Sequence, residues 1–141
     1  MDDPHDLDRF LTAQAPVIDE VLGELRAGRK RTHWMWFVFP QLRGLGTSTM
    51  AEIFGIDSLD EARAYLAHPV LGARLRECCT LMLQVPQGSA HEILGSPDDM
   101  KFRSCVTLFS LAAPQEKVFG DCLERFYRGV PDPRTVAMCG A

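Results

Sequence analysis

The amino-acid sequence predicts an all-α fold: a compact multihelical single domain of about seven or eight short helices over residues 1–141. Three observations support this prediction. Apolar residues recur at spacings of three and four along most of the chain, which is the period of an amphipathic helix. Proline, serine and aspartate stand where these patterns begin, as is typical of helix N-termini. With 141 residues, 46% of them hydrophobic, the chain is long enough for one buried core and short for two.

The N-terminal part of the chain predicts an amphipathic turn, one helix and a short, strongly apolar segment. The turn covers residues 7–11, and apolar residues at 17–25 form a helical stripe that begins near Pro16 and ends near Gly28. In residues 33–41 the apolar side chains are so dense that periodicity does not distinguish a buried strand from a core helix. We expect a helix, because the rest of the chain offers no strand for it to pair with.

The middle of the chain carries start and stop signals for two further helices. Residues 44–49 form a loop rich in glycine, serine and threonine, which opens a helix through residues 50–54. Ser58 followed by Glu61 matches a capping box, in which each of the two side chains accepts a hydrogen bond from a backbone N–H. We expect the helix that this box starts to end near His68.

The remaining helices are predicted from prolines and their neighbours. Pro69 and Pro114 each precede an apolar stripe at helical spacing. Ser96 is the predicted N-cap of a helix with Pro97 in its first turn, followed by two acidic residues that suit the helix dipole. Asp132 precedes another proline and caps a final short helix. No repeat, low-complexity tract or long linker divides the chain.

Charge and composition restrict the partners that the chain can recognise. The net charge is −4, whereas proteins that bind extended nucleic acid usually present a basic face to the phosphate backbone. We therefore expect no extended nucleic acid as a partner, although a local basic patch can still hold one small anion. The longest apolar run, residues 34–39, is too short to cross a bilayer, so we also expect no membrane partner.

Cysteine usage and the N-terminal residues indicate a cytoplasmic protein. The five cysteines include no C-x-x-C pair, the spacing typical of zinc sites, so neither a metal site nor a cofactor is predicted. We interpret the thiols as reduced and mostly buried, with a catalytic or redox cysteine as the alternative. The acidic residues at positions 2–6 differ from a secretory signal, which starts basic and continues apolar.

The sequence contains none of the strong catalytic motifs, and three weaker features remain. The first is the basic and aromatic stretch at residues 30–41, where indole rings can stack on a flat ligand and cations can hold its phosphate. Its candidate ligand-binding residues are Lys30, Arg31, His33, Trp34, Trp36 and Gln41. In the alternative, the aromatic residues form core, His33 is a hydrogen-bonded structural histidine and Gln41 bonds a backbone carbonyl.

The second and third features are a helix start and a helix face. Ser48 opens a helix after the glycine loop, where free N–H groups favour an anion, although an ordinary N-cap explains the same pattern. Lys101 and Ser104 lie one turn apart on a predicted helix, so the lysine amine can point into a cleft beside the hydroxyl. Asp99 is a candidate general acid or base. In the alternative, the Lys101 ammonium lies in water, and Asp99 is an ordinary first-turn acid that the helix dipole favours.

Three blocks of sequence carry a resemblance to a known family. Residues 29–48, 61–75 and 98–109 read RKRTHWMWFVFPQLRGLGTS, EARAYLAHPVLGARL and DDMKFRSCVTLF. In this order they resemble a bacterial and fungal domain family of unknown function, DUF 1810, whose members are sometimes labelled calpastatin. The resemblance implies a mainly α-helical single domain and supplies no mechanism. The chain is also similar in character to helical domains that process NAD or ADP-ribose derivatives.

Two functional hypotheses follow. In the first, the domain binds a nucleotide-like or ADP-ribose- or NAD-derived phosphorylated ligand and hydrolyses it, with Lys101, Asp99 or His33 assisting the chemistry. In the second, the domain is a non-enzymatic module that binds another protein. Convergence of the candidate residues on one concave pocket would favour the first hypothesis, and tryptophans sealed in the core would favour the second.

Overall fold

The computed structural model describes residues 2–140, and within that range it contains ten α-helices and no β-strand. The all-α prediction is therefore confirmed. The number of helices exceeds the seven or eight expected, because four of them have only four to six residues. The helices are α1 Asp8–Gln14, α2 Ile18–Arg26, α3 Met35–Val38, α4 Thr49–Ile53, α5 Leu59–Ala67, α6 Leu71–Gln84, α7 Ala90–Leu94, α8 Asp98–Ala112, α9 Lys117–Tyr127 and α10 Pro133–Met138.

Helix α8 is the central element of the hydrophobic core. It packs against α5, α7, α9 and α10, and its aromatic side chains contact aromatic residues from other segments. The ring of Phe109 lies 5.5 Å from that of Tyr65, and the ring of Phe102 lies 4.7 Å from that of Phe39. The core is thus a set of interlocked aromatic rings around one helix, which is the arrangement that edge-to-face contacts favour.

Three of the predicted helix starts are confirmed by their hydrogen bonds. The side chains of Ser48, Ser58 and Asp132 each accept a hydrogen bond from a backbone N–H in the first turn of α4, α5 and α10. The predicted cap at Ser96 is wrong. The N–H that Ser96 would have bound, that of Asp99, donates instead to the carbonyl of Gly95, and Pro97 occupies the cap position.

The capping box predicted at Ser58 is only half formed. Ser58 accepts from the N–H of Glu61, but the Glu61 carboxylate accepts from Asp57 and from Arg9 instead of bonding back to Ser58. A complete capping box starts α7, where Ser89 and Glu92 bond each other's backbone N–H. The sequence analysis missed α7, because a five-residue helix carries no periodic stripe.

The helices that were expected to begin at prolines begin two or three residues later. Pro16, Pro69 and Pro114 lie in the turns that precede α2, α6 and α9. The apolar segment at residues 33–41 contains the predicted short helix, α3. It is followed by an isolated parallel bridge between Leu42 and Ile56.

The longest helix, α8, has 15 residues. Among residues 2–140, no helix combines the length and the apolar character that crossing a membrane requires.

A buried ion pair joins α1 to α5. The guanidinium of Arg9 donates to the Glu61 carboxylate at 2.8 Å and to the backbone carbonyls of His5, Asp6, Ile53 and Gly55. The side chain of Glu61 is only 3% exposed, and Arg9 is the cation that pairs with its buried carboxylate. Such a pair contributes little over an apolar replacement of both residues, but loss of one partner leaves a buried charge.

We predict that Arg9→Met lowers the free energy of unfolding by about 3 kcal/mol, because it leaves Glu61 without its cation. The control is Arg26→Met. Arg26 pairs with Glu77 at 3.8 Å with both side chains about half exposed, so we expect a change below about 0.5 kcal/mol. Urea unfolding of the two variants and the parent protein measures both values. Equal effects of the two substitutions would contradict the structural role of Arg9.

Candidate functional site

An open cleft lies between α8, the loop that follows α3 and the start of α10. 

The residues that line this cleft, and not its size, single it out, because an opening beside Arg9 has a similar volume of about 380 Å³. The cleft between α8, the loop and α10 has a volume of about 330 Å³, at the lower end of the range for small-molecule sites. The residues that line it include Gln41, Leu45, Met100, Lys101, Ser104 and Arg134. We call it the outer cleft.

A second, much smaller space adjoins the outer cleft, and Gln41 and Lys101 line both. Its volume is about 10 Å³, close to the smallest space that holds one water molecule. We call it the inner cavity. Its other lining residues are Met35, Trp36, Phe39, Ala51, Phe54 and Gly55. It is therefore mostly apolar, with polar groups supplied by few side chains.

Backbone pairing and a glycine hold Gln41 at the junction of the two spaces. The carbonyl of Gln41 accepts a hydrogen bond from the N–H of Ile56 at 2.9 Å, within the isolated bridge. A Cβ atom at Gly46 would lie 2.7 Å from the Cβ of Ala51 and 3.3 Å from Nε2 of Gln41. The missing side chain at Gly46 thus leaves room for the Gln41 amide.

Two lysines share one carboxylate at the start of α8. Nζ of Lys30 lies 3.0 Å from Oδ2 of Asp98, and Nζ of Lys101 lies 3.8 Å from Oδ1 of the same residue. Each ammonium also lies over an indole ring: Lys30 is 5.2 Å from the ring centroid of Trp34, and Lys101 is 5.1 Å from that of Trp36. Lys101 is the more loosely paired and lines the outer cleft, whereas the side chain of Lys30 is only 8% exposed.

The two tryptophans have different environments. Trp34 is 1% exposed, and its Nε1 donates to Oε1 of Glu24 at 3.0 Å, so a ligand ring cannot stack on it in this structure. Burial alone would raise the pKa of the Glu24 carboxyl. Hydrogen bonds from the backbone of Arg31, from Thr32 and from Trp34 outweigh burial and lower that pKa to about 2. Glu24 thereby anchors the segment that joins α2 to α3.

The other predicted site residues lie outside the outer cleft. Arg31 and His33 are exposed, and Ser48 has the ordinary N-cap role that was its alternative interpretation. The carboxylate of Asp99 faces Nδ1 of His91 at 3.5 Å. Of the predicted residues, the structure brings Gln41, Lys101 and Ser104 together in the outer cleft and adds Trp36 through the inner cavity.

The sequence did not predict that Arg134 of α10 and Asp132, the N-cap of α10, line the outer cleft. Arg134 is exposed and has no ion pair within residues 2–140. Asp132 is the N-cap of α10, and its carboxylate accepts hydrogen bonds from the backbone N–H and the hydroxyl of Thr135. No local signal relates α10 to α8, so only the packing of the two helices could place Arg134 here.

The cysteines agree with the interpretation as buried thiols. Four of the five are buried, and Cys139 is partly exposed. Burial raises the pKa of the Cys78 thiol to about 12 and also raises the pKa values of Cys79 and Cys105. A raised pKa keeps a thiol protonated and weakly nucleophilic. In the part of the chain that the structure describes, no group of three or more metal-binding side chains is placed to hold an ion.

Comparisons with known proteins agree with the helical fold. A family model described as a protein of unknown function, DUF1810, matches residues 4–139. The crystal structure of the conserved hypothetical protein Rv1873 from Mycobacterium tuberculosis is similar, with a TM-score of 0.97 and 55% sequence identity, covering 99% of each chain. No curated protein matches the chain.

We predict that Glu24 makes stability depend on acid pH. Because its folded pKa is below the ordinary value of 4.5, its contribution is present above pH 4.5 and is lost as the pH falls toward 2. The shift corresponds to about 3 kcal/mol. Unfolding measured between pH 6 and pH 2.5 should therefore show the parent protein converging on Glu24→Gln as the pH falls. Glu20→Gln, an exposed position on the same helix, is the control and should track the parent protein. A gap between parent and Glu24→Gln that stays constant with pH would refute this role.

Proposed function

The chain belongs to the family described as protein of unknown function DUF1810, and from the geometry of its outer cleft we propose that it binds a small phosphorylated ligand, nucleotide-like or derived from ADP-ribose or NAD. One observation carries the proposal. Gln41, Lys101 and Arg134, which come from three separate segments, line the same cleft. Donors that converge from different elements onto one concave surface are typical of a ligand site.

The charges around the outer cleft favour an anion. Lys101 and Arg134 are cationic, while the carboxylate of Asp98 lies closer to Lys30 than to Lys101. The other carboxylate at the cleft, that of Asp132, is bonded within the cap of α10. A phosphate group supplies the oxygens that such cations bind through charge-assisted hydrogen bonds.

The size and the walls of the cleft suit one small molecule. A volume of about 330 Å³ lies within the range for small-molecule sites. Leu45 and Met100 provide apolar surface beside the polar groups, and Met100 is 48% exposed. Such a surface can contact the ring of a base or a sugar while the cations hold phosphate.

The function that the geometry supports is binding. Of the three residues that the sequence analysis considered for catalysis, Lys101 lines the cleft, whereas Asp99 faces His91 and His33 is exposed elsewhere. Hydrolysis of the ligand therefore stays a prediction from sequence.

The burial of Trp34 in the core favours the alternative, a module that binds another protein, but the exposed apolar residues do not. The large apolar residues that are exposed within residues 2–140 belong to five different segments, so they define no single helix face. They are Ile53, Val70, Met100, Val130 and Met138.

We predict that ADP-ribose, NAD, AMP or inorganic phosphate raises the melting temperature of the purified protein in a thermal-shift assay. A ligand at about 100 times its dissociation constant stabilises a fold by roughly 2.7 kcal/mol, which corresponds to several degrees at this chain length. Lys101→Met and Arg134→Met should each weaken binding about 10-fold or more, because each removes a charged hydrogen-bond donor.

Lys117→Met is the matched control. Lys117 is 87% exposed on α9 and pairs with Asp121, so its loss should leave ligand affinity unchanged. Calorimetric titration gives the affinities of the three variants. The proposal fails when none of the four compounds stabilises the protein, or when the control variant weakens binding as much as Lys101→Met does.

A further inference from the structure

The indole nitrogen of Trp36 is a buried donor without an acceptor. Among the buried side-chain nitrogens and oxygens of residues 2–140, it is the one for which the structure provides no hydrogen-bond partner. The indole nitrogen of Trp34, by contrast, donates to Glu24. Buried donors in folded proteins are nearly always paired, so an unpaired one indicates a missing acceptor.

The inner cavity, which Trp36 lines, has room for one acceptor atom. Its volume of about 10 Å³ matches one water molecule or one oxygen atom of a larger group. Lys101 lines the same cavity, with its ammonium 5.1 Å from the centroid of the Trp36 ring. The cavity also opens beside Gln41, which lines the outer cleft as well.

The polar groups around the inner cavity are mainly donors. Of the lining residues, Trp36 and Lys101 carry polar side-chain groups that can only donate, and the carbonyl of Gly55 already accepts a hydrogen bond from Arg9. The remaining lining side chains, apart from the Gln41 amide, are apolar. An oxygen that accepts without donating, such as an anionic phosphoryl oxygen, fits these two donors.

We propose that the inner cavity is a subsite for one phosphoryl oxygen of the ligand, which accepts a hydrogen bond from the indole N–H of Trp36. The rest of the ligand occupies the outer cleft. This inference rests on the proposed function and deepens it, because it makes Trp36 a specificity-determining residue that selects ligands with an exposed phosphoryl oxygen.

The test follows the two indole N–H resonances of the ¹⁵N-labelled protein during titration with inorganic phosphate and with ADP-ribose. The spectrum of Trp36→Phe assigns the two signals. We expect the Trp36 signal to move downfield, with the same dependence on ligand concentration as the increase in melting temperature. The Trp34 signal is the internal control and should stay in place, because Glu24 already holds that donor.

The substitution Trp36→Phe removes the donor and keeps an aromatic ring, and we expect it to weaken binding by about 10- to 100-fold. Its melting temperature without ligand shows whether it folds, and the titration of the parent protein is informative even when it does not.

The outcomes separate the two proposals. If Lys101→Met weakens binding but the Trp36 signal stays fixed and Trp36→Phe binds normally, the subsite is overturned and the proposed function stands. Absence of binding by either compound overturns both. If the indole N–H of Trp36 contacts a bound water molecule and neither compound moves its signal, the inner cavity is a hydration site and the subsite is overturned.

Discussion

Burial of helix α8 is the constraint on which the rest of the structure depends. Eight of its fifteen side chains are buried, among them the polar residues Ser104 and Thr107. A helix covered on so many sides needs neighbours on each of them, and α5, α7, α9 and α10 provide these contacts. At the start of α8, Asp98 and Lys101 are partly exposed, and the outer cleft lies beside this part of the helix.

Buried charges elsewhere in the molecule are matched by hydrogen bonds. Glu24 accepts from the residues that follow α2, and Glu61 accepts from Arg9, so each carboxylate holds a segment that has little regular structure of its own. This arrangement follows from the cost of burying an unpaired charge. Trp36 departs from it, since its indole nitrogen is buried without an acceptor. An unpaired buried donor beside a cleft lined by cations supports the proposed ligand site.

The candidate site was predictable in part. The sequence predicts Gln41, Lys101 and Ser104 as site residues because these polar residues stand beside strongly apolar ones, and the structure brings the three together in the outer cleft. The same pattern does not show which of the two tryptophans, Trp34 or Trp36, is buried in the core and which lines the inner cavity. The two differ by two positions in a short helical segment, and which of them meets the core depends on the acceptor that Glu24 supplies from α2.

The sequence by itself determined the helical class, most helix boundaries to within a few residues, and the segments that carry polar groups. These properties depend on local periodicity and on caps that act within one turn, as at Ser58 and Asp132. Only the tertiary structure decided that Arg134 of α10 and Gln41 line the same cleft, and that Glu61 bonds Arg9 instead of completing its capping box. The physical reason is that these contacts join residues far apart in the chain, and their partners are selected by packing around α8.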